Sequence, residues 1–264
     1  MNRIRLGAFI RRDVRIARTY RAAFVGQIAG MLLFLATFGL VQGIVEPTFA
    51  LRYGASYFSY AAVGIAATGA LMGALGAFSG SLREAQVDGT LEAMLLAPVP
   101  QPTVLTLLGV WPLVLGFVGA LLTLLAAALG GAAFHVDVAS LVLAVVLSSV
   151  AFAALGLLAA AGVLVAKRGN PVAALVGMVG SLTAGAYVPI DTFPGWLQVV
   201  AVFNPMTYAV RAWRGALLEA TPPWEMAGSL AVLAGVAIVG LPLARAALRW
   251  ALDLARADGT LATY

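Results

Sequence analysis

The sequence contains no cysteine and a single histidine, His135. Disulfides, thiolate metal sites and cysteine nucleophiles are therefore excluded, and one histidine cannot assemble a metal cluster. The phosphate-binding pattern G-x-x-x-x-G-K-[ST] is also missing, because the one lysine, Lys167, lies in AKRGNP. Asp137, two residues from His135, is most simply a loop acid. We expect no catalytic, cofactor or metal site in this chain.

Charged residues are scarce. They make up 10% of the chain, against 62% hydrophobic residues, and the mean hydropathy is +0.99. This composition provides too little polar surface to cover a water-soluble protein of 264 residues. The sequence therefore predicts a single all-α integral membrane domain, with lipid as its main solvent.

About 20 apolar residues are needed to cross a bilayer once. The segment 192–218 does not meet this requirement, because Pro194 and Gly195 open it and Asn204-Pro205 divides it. We predict a hairpin or a pair of short helices there, entering one leaflet only. Six transmembrane helices are then predicted, at residues 22–45, 53–80, 103–130, 139–166, 170–190 and 226–246.

The basic residues predict the orientation. Residues 1–21 carry seven arginines among apolar side chains, and we interpret them as an interfacial amphipathic helix, or as a determinant of topology alone. With this end in the cytoplasm, thirteen Lys and Arg residues fall inside and three, Arg52, Arg211 and Arg214, fall outside. Both termini are then cytoplasmic, and anionic lipid headgroups explain the basic charge without nucleic acid.

The predicted cytoplasmic segment 82–98 is unusual because it carries acidic residues where basic ones are the rule. These are Glu84, Asp88 and Glu92. Thr90 can cap a short amphipathic helix that Pro98 ends. The segment is either a solvated turn or a docking element for a cytosolic partner.

Glycine pairs at four-residue spacing, Gly26 with Gly30 and Gly69 with Gly73, predict close helix packing within one subunit rather than a dimer seam. The predicted spans hold no firm ionisable residue, which argues against ion-coupled transport.

Two motifs carry a resemblance to a known family. The first is Gly89-Thr90-Leu91-Glu92 followed by Leu95-Leu96-Ala97-Pro98-Val99. The second begins at Ala184-Gly185 and Pro189 and continues through Phe193-Pro194-Gly195-Trp196-Leu197, Asn204-Pro205-Met206-Thr207-Tyr208-Ala209 and Arg211. Together they resemble the ABC-2 type permeases, the membrane subunits of ATP-binding-cassette exporters, and most of all the branch that exports drugs and nodulation factors.

The resemblance implies a dimer of permeases above two copies of a separate cytosolic ATPase, which binds ATP and Mg. It makes segment 82–98 the coupling helix, with Glu84, Asp88, Gly89, Thr90, Leu91, Glu92 and Leu95 docking on the ATPase. It makes 192–218 an outer re-entrant gate, formed with Pro189 by Phe193, Pro194, Gly195, Trp196, Asn204, Pro205, Tyr208 and Arg211.

The function expected from this resemblance is ATP-driven export of a hydrophobic or amphipathic compound, drug-like or lipid-like, across the cell membrane. Two alternatives stay open. The first is a polysaccharide or glycolipid exporter of the same family, and the second is a secondary carrier that does not use ATP.

Overall fold

The computed structural model describes residues 21–90, 93, 94, 96, 100–166 and 171–257. These residues form helices and connecting turns, and no strand occurs among them. In chain order the helices are α1 (Arg21–Tyr53), α2 (Tyr57–Val87), α3 (Gln101–Leu129), α4 (Val138–Ala166), α5 (Pro171–Thr183), α6 (Gly195–Phe203), α7 (Pro205–Leu218) and α8 (Ala227–Ala257). A 3₁₀ turn, Ile190–Thr192, precedes α6. The all-α prediction is confirmed.

Four helices are long and apolar enough to cross a membrane: α2, α3, α4 and α8. In α1 the described apolar stretch is Leu32–Ile44. The helix α5 has 13 residues and a length of about 20 Å, which is less than the hydrocarbon thickness of about 30 Å. Four of the six predicted spans therefore have a matching long apolar helix.

Two helices continue beyond the predicted spans, because a charged residue ends an apolar run without ending a helix. Backbone hydrogen bonds continue through it. The first helix extends to Tyr53 instead of 45, and α2 extends to Val87 instead of 80. Residues 82–87 are thus the last turns of α2 and do not open a separate coupling helix.

The fifth predicted span is interrupted for a different reason. After Thr183 the chain turns through Gly185, whose φ of +71° belongs to the left-handed region that favours glycine. The predicted interfacial helix at 1–21 lies outside the described residues except for Arg21.

The centre of the bundle is α2, which contacts α1, α3, α4, α5 and α7. Small side chains allow these close approaches. Ala61, Ala62, Ala67 and Ala74 of α2 have no exposed surface. In lipid, where apolar burial itself drives little association, such close backbone packing is the main source of helix–helix stability.

The glycines that make the closest contacts are not the predicted pairs. A Cβ at Gly156 would lie 2.6 Å from the Ala74 carbonyl oxygen, and one at Gly109 would lie 2.1 Å from the Phe78 ring. A Cβ at Gly26, Gly30 or Gly69 would meet nothing within 4 Å. Of the predicted glycines only Gly73 packs closely, at 3.6 Å from Gly116 Cα.

Candidate functional site

The predicted gate segment consists of two short helices, α6 and α7, that meet at Asn204. The Asn204 side chain caps α7, because Oδ1 accepts a hydrogen bond from the Met206 backbone N–H at 3.0 Å. Its Nδ2 donates to the Gly180 carbonyl at 2.7 Å and to Thr183 Oγ1 at 3.0 Å. One amide side chain therefore fixes the corner between α6 and α7 and ties it to the end of α5.

Prolines begin both short helices. Pro194 is the residue before α6, and its carbonyl accepts from Leu197 N at 2.9 Å. Pro205 is the first residue of α7, where the missing N–H costs nothing. The Pro189 carbonyl accepts both from Thr192 N at 3.1 Å and from Thr192 Oγ1 at 2.7 Å. Pro194 and Pro205 thus mark where the two helices begin, and Pro189 holds the turn that precedes them.

The remaining predicted gate residues are exposed or half-buried. The Tyr208 hydroxyl donates to the Val202 carbonyl at 2.8 Å, across the α6–α7 corner. The Arg211 guanidinium lies 5.9 Å from the centre of the Tyr208 ring. Trp196 is 70% exposed. Among the described residues, no hydrogen bond or ring contact joins Phe193, Gly195 or Trp196 to Arg211.

Arg214, which sequence reasoning used only as a topology charge, is the residue that joins this region to the core. Its Nη1 donates to the Gly185 carbonyl at 2.8 Å, and its Nη2 donates to the Ala186 carbonyl at 2.6 Å and to the Tyr60 carbonyl at 3.3 Å. The guanidinium carbon lies 3.4 Å from the centre of the Tyr60 ring. Carbonyl dipoles and a ring face thus stabilise the cation. One side chain holds α7, the 184–189 segment and α2 together.

Two glycines make the approach to Arg214 possible. A Cβ at Gly64 would lie 1.9 Å from the Ala186 carbonyl oxygen and 2.8 Å from Arg214 Nη2. Gly185 supplies the left-handed turn that directs its carbonyl at the guanidinium. The Tyr60 hydroxyl also donates to this carbonyl, at 3.2 Å. We call Tyr60, Gly64, Gly185, Ala186 and Arg214 the Arg214 clamp.

Aromatic side chains extend from the clamp towards α1. The Phe49 ring contacts the rings of Tyr53, Tyr57 and Tyr60 at centroid distances of 4.6, 5.2 and 5.1 Å. Earlier in α1, the Phe38 ring stacks on Tyr187, with 5.7 Å between the ring centroids. These contacts pack the second half of α1 against α2 and the 184–189 segment.

A surface ion pair joins the end of α1 to the 3₁₀ turn. Arg52 Nη2, at the end of α1, lies 2.7 Å from Asp191 Oδ2, and the Tyr53 hydroxyl donates to both Asp191 oxygens at 2.9 Å. The Arg52 and Asp191 side chains are 63% and 47% exposed, so water screens the pair and its contribution is small.

The loop between α3 and α4 docks on the last turn of α7. His135 N donates to the Leu217 carbonyl and Asp137 N donates to the Ala216 carbonyl, both at 2.9 Å. Asp137 Oδ1 accepts from Ser140 N at 2.7 Å, which caps α4. Hydrogen bonds from Ser140 lower the pKa of the Asp137 carboxyl. Asp137 therefore lies in the loop and caps α4, a role that the interpretation as a loop acid did not specify.

The predicted docking residues lie at the end of α2 that is far from the Arg214 clamp. Glu84 lies in its last turns, and Asp88 ends it. Gly89 has a φ of +66°, and Thr90 N then donates to the Ala85 carbonyl at 3.0 Å. The Thr90 carbonyl accepts from Met94 N at 3.1 Å, which is one helical turn. Leu91, Glu92 and Leu95 lie outside the described residues.

A groove of about 630 Å³ lies between α2 and α3, and it extends along α2 from Ile65 to Glu84. Its walls are mainly glycine and alanine, with Pro112 and Leu115 among the contributions of α3. Sequence reasoning did not find this groove. The signal was present in the repeated glycines of α2, but their spacing also suits a buried packing face.

The comparison with protein families decides the identity. The family model described as ABC-2 type transporter matches residues 5–218. The chain belongs to the ABC-2 type transporter family. The match includes the Arg214 clamp, the α6–α7 corner and the segment that follows α2, and it confirms the resemblance found in the two sequence motifs.

Two curated relatives of this ABC-2 chain are permeases of Mycobacterium tuberculosis, from strains CDC 1551 / Oshkosh and ATCC 25618 / H37Rv. Each is named as a probable doxorubicin resistance ABC transporter permease protein DrrC. The identity is 32% over 71 residues, which is 26% of this chain and 26% of each relative. The match therefore spans about a quarter of the length of these permeases.

Proposed function

We propose that this chain is the membrane subunit of an ABC exporter that moves a hydrophobic or amphipathic compound across the cell membrane, using ATP hydrolysed by a separate protein. The observation that carries the proposal is the family match over residues 5–218. The long apolar helices and the drug-resistance name of the DrrC relatives support it. The chain itself lacks the sequence pattern that binds nucleotide phosphates.

The proposed topology has six spans with both termini in the cytoplasm. The four long apolar helices supply four spans, and α1, with 33 residues, has the length for a fifth. The sixth is α5 together with the segment that leads to the 3₁₀ turn. The bias of basic residues towards one side supports this orientation, which puts the Arg214 clamp at the outer end and Glu84 at the inner end.

The ATPase is proposed to dock at the end of α2 and on the segment that follows it. The residues that would contact the ATPase, according to the family resemblance, are Glu84, Asp88, Gly89, Thr90, Leu91, Glu92 and Leu95. The exposed residues Asp88, Gly89 and Thr90 form a tight turn directly after a helix of 31 residues. Because α2 contacts most of the bundle, a displacement of this turn reaches all of its neighbours. Two permease copies and two ATPases, which hold ATP and Mg, complete the proposed assembly.

The test is co-purification of the tagged chain from detergent with its ATPase. A variant carrying Asp88→Arg and Glu92→Arg reverses the acidic charge at the proposed docking segment, and we expect it to lose the ATPase. The matched control carries Glu219→Arg and Glu225→Arg, which reverse two exposed acids at the opposite end of the bundle. The control should retain the ATPase.

Transport provides the second readout. Vesicles that contain the chain and its ATPase should accumulate a substrate only with ATP. The carrier alternative predicts full-rate transport by the chain alone, driven by a gradient, and that result would reject the proposal.

A further inference from the structure

The groove between α2 and α3 is an open space lined by small residues. A Cβ placed on Gly69, Gly76, Gly80 or Gly119 would meet no atom within 4 Å. These glycines line the groove, and the space that a side chain would enter at each of them is open. A volume of about 630 Å³ is within the range of about 300–1,000 Å³ that holds drug-sized ligands.

Polar side chains are confined to the ends of this groove. Thr123 lies towards the end of α3, and its hydroxyl donates to the Gly119 carbonyl at 2.9 Å. Ser81 and Glu84 lie at the other end, and Glu84 is the charged side chain among the described residues that line the groove. The arrangement is an apolar trough with one carboxylate at its mouth.

We propose that this groove binds an amphipathic cation, with its apolar body against the glycine-lined walls and its positive charge at Glu84. The proposal rests on the proposed function, for which it names the class of substrate and a site. An ammonium group meets an opposite charge at the mouth, whereas an anion of the same size meets repulsion. A neutral compound would gain only the apolar contacts.

Glu84 therefore acts in ligand selection, in addition to its proposed part in ATPase docking. With the proposed orientation it stands at the cytoplasmic end of α2, where an amphipathic cation in the inner leaflet would meet it first. The apolar walls continue from there to Ile65, about five turns along α2.

The experiment measures binding of rhodamine 6G, a fluorescent amphipathic cation, to the full chain in nanodiscs of phosphatidylcholine, followed by anisotropy. Phosphatidylcholine carries no net charge and so does not itself retain the cation electrostatically. Glu84→Gln removes the charge, and Gly76→Leu adds bulk to the groove at a position where a Cβ meets no atom within 4 Å. Each should weaken binding about tenfold or more.

Two matched controls separate the groove from general effects. Asp253→Asn removes an exposed acid near the end of α8 that does not line the groove, and Gly235→Leu adds the same side chain to an exposed position of α8. Both should bind rhodamine 6G within about twofold of the wild type. Equal binding by Glu84→Gln and Asp253→Asn overturns the proposal, whether both bind like the wild type or both are weakened.

A second copy of the chain is the competing occupant. If Gly76→Leu leaves rhodamine 6G binding unchanged but converts a dimer into a monomer in light scattering, the groove is a subunit interface and the proposal is wrong. Failure of the proposed function has a different signature. A wild-type chain that retains no ATPase, but binds the cation through Glu84, refutes the exporter assignment and leaves the groove intact.

Discussion

The two ends of the bundle are held together by different kinds of contact. At the Arg214 end, directional hydrogen bonds from Arg214 and Asn204 connect α7 to α2 and α5. At the Glu84 end, the core is built from apolar side chains such as Leu82, Leu164 and Leu248. Directional bonds specify one arrangement, whereas packed apolar chains tolerate small sliding movements. The arrangement of helices is therefore specified more rigidly at the Arg214 end, and the Glu84 end is more tolerant of small shifts between helices.

The largest expected effect comes from Gly64→Ala. The new Cβ would lie 1.9 Å from the Ala186 carbonyl oxygen, so backbone has to move and the clamp must open. We expect a loss of about 4 kcal/mol or more in the free energy of unfolding, measured by thermal denaturation in detergent. Gly69→Ala, on the same helix but facing open space, should leave the stability equal or slightly higher. Equal stability of the two variants would refute the close approach.

Loss of packing at the Glu84 end should have the next largest effect. Leu248 has no exposed surface, and Leu248→Ala leaves a cavity that costs about 2–4 kcal/mol. Leu243, on the same helix, is 56% exposed, and its replacement by alanine should cost much less. Denaturation monitored by tryptophan fluorescence checks both. Similar costs would show that the apolar core of this end is not what stabilises it.

Arg214→Gln should cost about 2–3 kcal/mol, because three carbonyls lose a charged donor. Arg214→Lys should restore only part of this stability, since an ammonium group cannot reproduce the planar fork. Arg211→Gln, one turn earlier and exposed, is the control and should be near neutral. If Arg211→Gln proves as costly as Arg214→Gln, the clamp is not the connecting element.

The smallest effect belongs to the surface pair of Arg52 and Asp191. Asp191→Asn should cost about 0.5 kcal/mol, and the cost should shrink further as salt is added. A double-mutant cycle with Arg52→Ala isolates the coupling between the two charges. A coupling of several kcal/mol that persists in high salt would mean that this pair, and not the Arg214 clamp, secures this end of the bundle.

Particular residues show how far sequence reasoning reached. The break at Asn204-Pro205 could be predicted, because proline and a capping residue act locally. The end of α2 could not, since Arg83 and Glu84 interrupt the hydropathy pattern while the helix continues to Val87. The sequence motif singled out Arg211 and left Arg214 as a topology charge only. Only the fold brings the carbonyls of Gly185 and Ala186, about thirty residues away, to one of them.

The glycines show the same limit. Gly64, Gly76 and Gly156 all lie in apolar helices and are alike in the sequence. Gly64 packs against a carbonyl of the 184–189 segment, Gly76 faces the open groove, and Gly156 packs against α2. Spacing places residues on a helix face, but the neighbour of that face is decided elsewhere in the chain.

The sequence by itself determined that this protein is helical, that it is a membrane protein and that it resembles the ABC-2 transporters. Composition, helix breaks and short motifs can be read from neighbouring residues, because each is a local property of the chain. The tertiary structure alone decided which arginine is partly buried and hydrogen-bonded. It also decided which glycines pack against a neighbouring helix and which face open space, and that Glu84 lies at the end of an apolar groove. These features depend on contacts between helices that are far apart in the chain. Helix–helix contacts arise from the fit of whole surfaces, so no local pattern specifies them.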